Sequence, residues 1–164
     1  MGKLRHSASV IIIALAMLGC DGMDTDPTQD IVCGETDDYL WNLYEIQSLE
    51  GCTRYRGSIH VSDTDLPHLE SLPRLRAVDG SYTFFRNDSL QSLRGLENLQ
   101  VVGDRFGLSN HAVLADLDAL SNLRAVAGDF YVIGNSSLHD DDARALADQI
   151  SIGGEIDING NAPR

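Results

Sequence analysis

The chain repeats itself with a period of 24 residues, and this period constrains its fold more than any other feature. In three successive segments, every third residue is a leucine, and the fourth residue of this pattern is a valine. The aligned columns are Leu69, Leu93 and Leu117; Leu72, Leu96 and Leu120; Leu75, Leu99 and Leu123; and Val78, Val102 and Val126. A period of this length is typical of stacked repeats, none of which can bury its apolar face alone.

After the valine, each repeat continues into a segment in which large apolar residues alternate with other residues. The alternating pairs are Tyr82 and Phe84, Phe106 and Leu108, and Phe130 and Val132. Alternation indicates a strand with one buried face, and equivalent strands of adjacent repeats must pair in parallel and in register. A weaker copy precedes these repeats with a one-residue slip, and another follows after a two-residue insertion. The sequence therefore predicts a β-solenoid of the leucine-rich-repeat kind, with a parallel sheet and about five repeats of 24 residues.

Asparagine recurs just beyond the strand of most repeats. The positions are Asn87, Asn135 and Asn161, and His111 stands in the equivalent place of the remaining repeat. Asparagine suits a turn because its amide can satisfy backbone groups and because it tolerates left-handed geometry. The column therefore predicts a turn after each strand.

The ends of such a stack expose core and strand edges, so they need covers. The segment from Asp37 to Leu49 places apolar residues on one helical stripe, and Asp37 or Asp38 can cap its start. We expect a short capping helix there. We expect a second one over Asp140 to Ile150, where three aspartates stand at the positive end of the helix.

The charge of the chain excludes one large class of partner. Acidic residues outnumber basic ones 25 to 12, which gives a net charge of −13. Affinity for nucleic acid depends on Lys and Arg side chains that neutralise phosphates. We therefore expect no nucleic-acid partner, and a basic helix lying on a membrane surface is excluded for the same reason.

The first residues have the pattern of an export signal. Lys3 and Arg5 precede an apolar run from Val10 to Leu18, which ends at Gly19 and Cys20. As a helix this run is only about 14 Å long, which is half of a bilayer, so it indicates a signal peptide and not a membrane span.

The end of this run, Met17-Leu18-Gly19-Cys20, resembles the lipobox of bacterial lipoproteins. The resemblance implies that residues 1–19 are removed as a lipoprotein signal peptide and that Cys20 is acylated and inserted into a lipid bilayer. Residues 20–30 are acidic and nearly free of large apolar side chains, which is typical of a flexible tether. The expected location is the cell envelope, facing the periplasm or the cell surface. An ordinary secretory signal followed by a free cysteine is the alternative.

The remainder, residues 31–164, resembles the receptor L domain of insulin-receptor and epidermal-growth-factor-receptor ectodomains. The resemblance rests on Cys33, the amphipathic segment to Leu49, Gly51-Cys52, the alternating Gly57 to Val61, and the leucine-rich repeats. It implies a leucine-rich, single-stranded right-handed β-helix, a Cys33–Cys52 disulfide, and a surface that binds a partner. Such a disulfide would add about 3 kcal/mol of stability. A metal held by the two cysteines is the alternative, and it lacks further ligands.

Alternation also predicts which strand residues face outward. Most of these are small or polar, and the exceptions form a candidate binding surface for an unknown protein or carbohydrate ligand: Phe85, Arg105, Tyr131 and Ile133. Exposed aromatic residues beside an arginine are typical of contact surfaces. The alternative is that a few exposed apolar residues are normal in any protein.

The sequence offers little that points to catalysis. Asp129 and Glu155 are the only acidic pair that the alignment stacks, and Arg105 stands beside them, whereas calcium-dependent β-helix enzymes need a column of carboxylates. The run from His139 to Asp142 could hold a cation but is explained by acids at a helix N-terminus. We therefore expect no catalytic residue, no metal and no cofactor. The best interpretation is a non-catalytic, lipid-anchored binding or adhesion module. A structural envelope scaffold or a polysaccharide-acting enzyme is the alternative.

Overall fold

The chain alternates between two parallel sheets of six strands each, because each repeat adds one strand to each sheet. The computed structural model describes residues 30–34, 37–40, 43–69 and 72–163. The short-strand sheet contains β1 (Val32–Cys33), β3 (Arg54–Tyr55), β5 (Ala77–Val78), β7 (Val101–Val102), β9 (Ala125–Val126) and β11 (Ser151–Ile152). The long-strand sheet contains β2 (Asp38–Leu40), β4 (Ile59–Ser62), β6 (Tyr82–Phe85), β8 (Phe106–Ser109), β10 (Phe130–Ile133) and β12 (Ile156–Asn159). The predicted parallel, β-rich fold is confirmed.

Strand pairing reproduces the alignment of the repeats. Tyr82 pairs with Phe106 and Phe106 with Phe130, so the central repeats are offset by 24 residues. The offset is 23 residues between Ile59 and Tyr82. It is 26 residues between Phe130 and Ile156. The one-residue slip and the two-residue insertion inferred from the sequence are therefore confirmed.

The inward side chains of both sheets and of the leucine-rich segments form one core. Every member of the four aligned leucine and valine columns is buried. Aromatic rings of adjacent repeats also meet, with ring centroids 5.8 Å apart for Phe106 and Phe130 and 6.5 Å apart for Tyr82 and Phe106. Because each large buried side chain contributes about 2 kcal/mol, packing between repeats is the main source of stability.

A ladder of buried or partly buried polar side chains joins the repeats at the turn after the long strands. The Oδ1 of Asn87 accepts the backbone N–H of Thr64 at 2.9 Å, and the Oδ1 of Asn135 accepts that of His111 at 3.1 Å. Asn161 accepts the backbone N–H of Asn135 in the same way, at 2.9 Å. The amide nitrogens of the three asparagines donate to backbone carbonyls at the ends of earlier strands. The predicted turn is confirmed.

The left-handed geometry of this turn lies one residue before each ladder position and not on the asparagines themselves. The residues with positive φ are Asp63, Arg86, Asn110, Gly134 and Gly160. The division has a physical reason, because the ladder residue must point its side chain inward to bond the preceding repeat. The residue before it reverses the chain direction and is mostly exposed.

The prediction of a capping helix over Asp37 to Leu49 is wrong for the first part of that segment. Asp38–Leu40 form strand β2, which pairs in parallel with β4, and helix α1 covers only Leu43–Gln47. The strand forms because the exposed Tyr39 and the buried Leu40 alternate as strand residues do, and because pairing satisfies their backbone groups. Each sheet therefore has six strands, one more than the five repeats expected.

Two contacts hold this amino-terminal strand pair in place. Cys33 and Cys52 form a disulfide with their Cα atoms 5.8 Å apart, as the L-domain resemblance implied. The phenol of Tyr55 donates a hydrogen bond to the carboxylate of Asp38, and burial together with this contact raises the pKa of Tyr55. Gly34 has a φ of 73° and lies against the Tyr55 ring, so a side chain at position 34 would collide with it.

The helix predicted near the carboxyl end is confirmed. Helix α2 (Asp140–Ala147) ends three residues earlier than expected and buries Ala143 and Ala147 against the core. The Nη2 atom of Arg144 donates to the carbonyl of Ile158 at 3.2 Å, which ties α2 to β12. The helix thus packs against the last strand of the long-strand sheet.

Candidate binding surface

The four residues of the candidate binding surface lie on, or directly before, three consecutive strands of the long-strand sheet. Phe85 is on β6, Arg105 directly precedes β8, and Tyr131 and Ile133 are on β10. Phe85 and Ile133 share one outward column, in which Ser109 separates them. The predicted outward positions thus fall on one face of one sheet.

The ring of Tyr131 lies over Gly107 of the neighbouring strand. Tyr131 pairs with Gly107 in the register of β8 and β10, and a Cβ atom at position 107 would collide with the far end of the Tyr131 ring. The phenol interacts with the hydroxyl of Thr83 on the strand beyond, and partial burial raises its pKa. The ring therefore extends from β10 over β8 towards β6, and one of its two faces lies against the sheet.

Arg105 and Asp129 form an ion pair next to this ring. The Nη2 of Arg105 is 3.2 Å from the Oδ2 of Asp129. The backbone N–H of Glu155 donates to the Oδ1 of Asp129 at 3.0 Å. The Glu155 N–H and, secondarily, Arg105 hold the pKa of Asp129 below its ordinary value. The Asp129 carboxylate is therefore an ionised hydrogen-bond acceptor.

Phe85 is the most exposed of the apolar residues that the sequence placed on this surface. Its side chain is 43% exposed, whereas Ile133 is partly buried. The guanidinium carbon of Arg86 is 5.8 Å from the centre of the Phe85 ring. This cation–π contact leaves a large part of the ring in water.

Sequence reasoning missed a second tyrosine on the same face. Tyr39 is 59% exposed and stands in the outward column that continues through His60, Thr83, Gly107 and Tyr131. It was missed because its segment was interpreted as a helix. The alternation of Asp38, Tyr39 and Leu40 is too short to be distinguished from a helix start by period alone.

Tyr39 lies flat on its neighbour in that column. Its ring is stacked on the imidazole of His60, with centroids 4.7 Å apart and planes 24° apart. The Nδ1 of His60 is 2.7 Å from the Oγ1 of Thr83. The column from Tyr39 to Tyr131 is therefore a continuous line of side chains in contact, and we call it the tyrosine column.

The other candidate groups are accounted for by local structure. Within the described residues, no group of three or more His, Cys, Asp or Glu side chains has the geometry to hold a metal. Asp140 accepts a hydrogen bond from the Nδ2 of Asn161 at 2.7 Å and lies in the first turn of α2. Asp141 and Asp142 occupy the same turn, as the sequence interpretation proposed.

Two open grooves lie away from the candidate surface. The larger, of about 640 Å³, is lined mainly by the leucine-rich segment before β9 and by α2, and it includes Asp116, Asp118 and Asp142. The smaller, of about 270 Å³, shares Asp116 and Asp118 and adds Arg94 and Glu97. None of the four candidate residues lines either groove.

Comparison with known proteins assigns no family. No protein-family model matches the chain, and no curated protein matches it significantly. No helix in the described part of the chain is long and apolar enough to cross a bilayer. Cys20, the signal peptide and nearly all of the tether lie outside the described residues.

Proposed function

We propose that the protein is a lipid-anchored component of the cell envelope, and that its module over residues 31–164 binds a partner instead of catalysing a reaction. In this proposal the acyl chains on Cys20 enter the bilayer, and the acidic tether holds the module on the periplasmic or the outer side. The module is a right-handed β-helix of the receptor L-domain type. Two parallel sheets joined in strict alternation and the disulfide at the first repeat support this interpretation.

The observation that carries the binding function is the gathering of Phe85, Arg105 and Tyr131 on one sheet face. Most other outward positions of that face are serine, threonine or acidic residues, as a solvated sheet requires. These three residues belong to β6, the position directly before β8, and β10, which are consecutive in the sheet, and two of them present aromatic rings. The engagement of Asp129 by Arg105 and by the N–H of Glu155 supports a non-catalytic role for this face.

The anchor can be tested by expressing the full chain in a diderm bacterium fed with radiolabelled palmitate. We expect a labelled chain, and we expect Cys20→Ser to abolish the label. Protease treatment of intact cells, with a periplasmic protein as the control, then distinguishes the two faces. Loss of the chain from intact cells would place it outside, and protection until the envelope is broken would place it within.

The binding function can be tested with the same cells. Their adhesion to surfaces coated with mucin, collagen or neutral polysaccharide is compared between the native chain and a Phe85→Ala, Tyr131→Ala double variant. Val101→Ala provides a matched control, because Val101 is 42% exposed but lies on the other sheet. If protease treatment places the chain within the envelope, the purified full chain in non-ionic detergent replaces the cells in this comparison. Equal behaviour of the native chain and the double variant on every surface would reject the binding function and favour the structural envelope scaffold.

A further inference from the structure

We propose that the tyrosine column binds an extended, uncharged glycan chain that runs across the strands of the long-strand sheet. This inference rests on the proposed binding function and specifies its ligand class. It adds Tyr39, His60 and Thr83 to the surface derived from the sequence. Ring orientation, spacing, hydrogen-bonding groups and charge each support it.

Both tyrosine rings of the column have one face against the protein. Tyr39 stacks on the imidazole of His60, and Tyr131 covers the backbone of Gly107. A ring held in this way can present its other face to a ligand. Pyranose rings bind to flat aromatic faces through their apolar C–H groups, so a laid-down tyrosine is suited to a sugar. A protein partner more often inserts side chains into pockets, and this face carries no pocket among those described.

The spacing of the column suits a polymer of sugars. Adjacent strands lie about 4.8 Å apart, which is close to the length of one sugar residue in an extended chain. Tyr39 and Tyr131 stand four strands apart in the sheet order, at a backbone separation of about 19 Å. Phe85, whose neighbour Thr83 belongs to the column, lies on the strand midway between them. Successive sugars would therefore meet successive strands, and the aromatic rings would recur on every second strand.

The polar groups between the rings can both donate and accept hydrogen bonds. Ser62 and Ser109 flank Phe85 in its column, and Thr83 lies between the two tyrosines. Hydroxyl groups of this kind match the hydroxyls of a sugar, since each can act as donor or acceptor. The imidazole of His60, on the second strand of the column, is bonded to Thr83 through its Nδ1 atom and fixes the position of that hydroxyl.

The charge of the surface selects against anionic polymers. The guanidinium of Arg105 is paired with Asp129, and Asp157 extends the column with an exposed carboxylate. The whole chain carries a net charge of −13. A polyuronate would be repelled, whereas a neutral glycan would meet no electrostatic penalty.

The test is affinity electrophoresis of the full chain in non-ionic detergent. Native gels contain hydroxyethyl cellulose, glycol chitin or mixed-linkage β-glucan as neutral probes, or polygalacturonate as an anionic probe. We expect retardation by at least one neutral polymer and none by polygalacturonate. Tyr39→Ala and Phe85→Ala should each weaken the retardation about three- to tenfold, which is the loss expected for one aromatic contact. Val101→Ala, on the short-strand sheet, should behave as the native chain does.

One variant separates ring orientation from ring chemistry. Gly107→Ala removes no side chain of the column but displaces the Tyr131 ring from the sheet. We expect it to weaken retardation as strongly as Tyr131→Ala, with an unchanged far-ultraviolet circular dichroism spectrum as evidence of folding. Retardation equal to that of the native chain would show that the laid-down ring is not used and would overturn the proposal.

The outcomes distinguish this inference from the proposed function. If no neutral polymer retards the chain but sheet variants still abolish adhesion of cells to mucin or collagen, the binding function stands and the glycan inference fails. Retardation by polygalacturonate alone would also overturn it. If no polymer retards the chain and the sheet variants adhere as the native chain does, both proposals fail.

Discussion

The imidazole of His111 accepts the backbone N–H of Asn87 through its Nδ1 atom, at 3.2 Å, where other repeats use an asparagine oxygen. The ring is buried, and its Nε2 atom has no partner within hydrogen-bonding distance in the described part of the chain. Burial lowers the pKa of His111 to about 4, although its contacts with Asn87, Asp88 and Phe84 act in the opposite direction. The acceptor role requires the neutral ring, because a protonated imidazole has no lone pair at Nδ1.

This arrangement predicts a loss of stability in mild acid. The unfolded chain takes up a proton at His111 near pH 6.5, but the folded chain does so only near pH 4. Stability from this group is therefore complete above pH 6.5 and is lost as the pH falls towards 4. At pH 5 the free energy of unfolding should be about 2 kcal/mol lower than at pH 7.5 on account of His111. His111→Asn should remove this component, since asparagine supplies the same acceptor without titrating. Urea denaturation of both proteins across this pH range measures the difference, and parallel pH profiles would contradict the prediction.

The asparagine ladder should be sensitive to truncation. Asn135→Ala removes the acceptor of the His111 N–H and the donor to the Leu108 carbonyl, both of which are buried. Unpaired buried groups of this kind cost about 1–3 kcal/mol each, so we expect a loss of about 3 kcal/mol in the free energy of unfolding. Asn122 donates to the Glu97 carbonyl at 2.6 Å but is exposed, so Asn122→Ala is the matched control. It should cost less than about 1 kcal/mol, because water replaces the lost partner.

Two buried tyrosines should respond in opposite directions to loss of their hydroxyl groups. The phenol oxygen of Tyr82 is fully buried and has no hydrogen-bond partner among the described residues. Tyr82→Phe should therefore raise the free energy of unfolding by about 1 kcal/mol, since it removes a desolvated polar group. Tyr55 donates to Asp38, so Tyr55→Phe should lower it by about 1–2 kcal/mol. Thermal unfolding of the two variants in parallel provides the comparison, and a shift of the same sign in both would refute the argument.

The Gly107→Ala variant should change Tyr131 much more than it changes stability. The atoms that the new methyl group would meet belong to the far end of the Tyr131 side chain, which can swing away. We expect a change of less than about 1 kcal/mol in the free energy of unfolding, because alanine suits a strand interior better than glycine does. The pKa of the Tyr131 phenol, which burial raises, should move towards its ordinary value. Ultraviolet difference titration of the tyrosines, with Tyr131→Phe to assign the signal, would show it. An unaltered titration would mean that the ring stays in place.

The disulfide should matter to the whole domain. Cys33→Ser with Cys52→Ser should lower the free energy of unfolding by about 3 kcal/mol, because the open chain regains the entropy of a loop whose ends lie 19 residues apart. Chemical denaturation with and without reductant gives the same comparison without mutation. A loss well below about 1 kcal/mol would indicate that the amino-terminal strands are held by pairing alone.

The sequence predicts most of this fold because the repeat is self-consistent. The leucine columns, the register of the central strands and the turn asparagines all follow from counting residues, and each is confirmed. The start of the domain could not be predicted in the same way. The strand Asp38–Leu40 lies 21 residues before its partner and not 24, and it shares only an alternating trio with the later strands. Its apolar residues fit a helical stripe equally well, and only pairing with β4 decides between the two.

The candidate surface, too, could be predicted from the sequence only in part. Outward positions such as Phe85 and Tyr131 follow from alternation, because a strand has only two faces. The orientation of a ring does not follow, since it depends on what stands at the same position of the next strand. Gly107 and His60 are unremarkable in the sequence, yet they are the residues on which the Tyr131 and Tyr39 rings rest.

The constant offset of the central repeats has one more consequence. Removing residues 106–129 would join Arg105 to Phe130, take one strand from each sheet, and leave Tyr82 facing Phe130 and Asn87 facing Asn135. Every remaining strand would still find a partner of the same kind. The length of the molecule along its stacking axis can therefore change only in whole repeats. Deletion or duplication of one 24-residue repeat shortens or lengthens it by one strand spacing, about 4.8 Å.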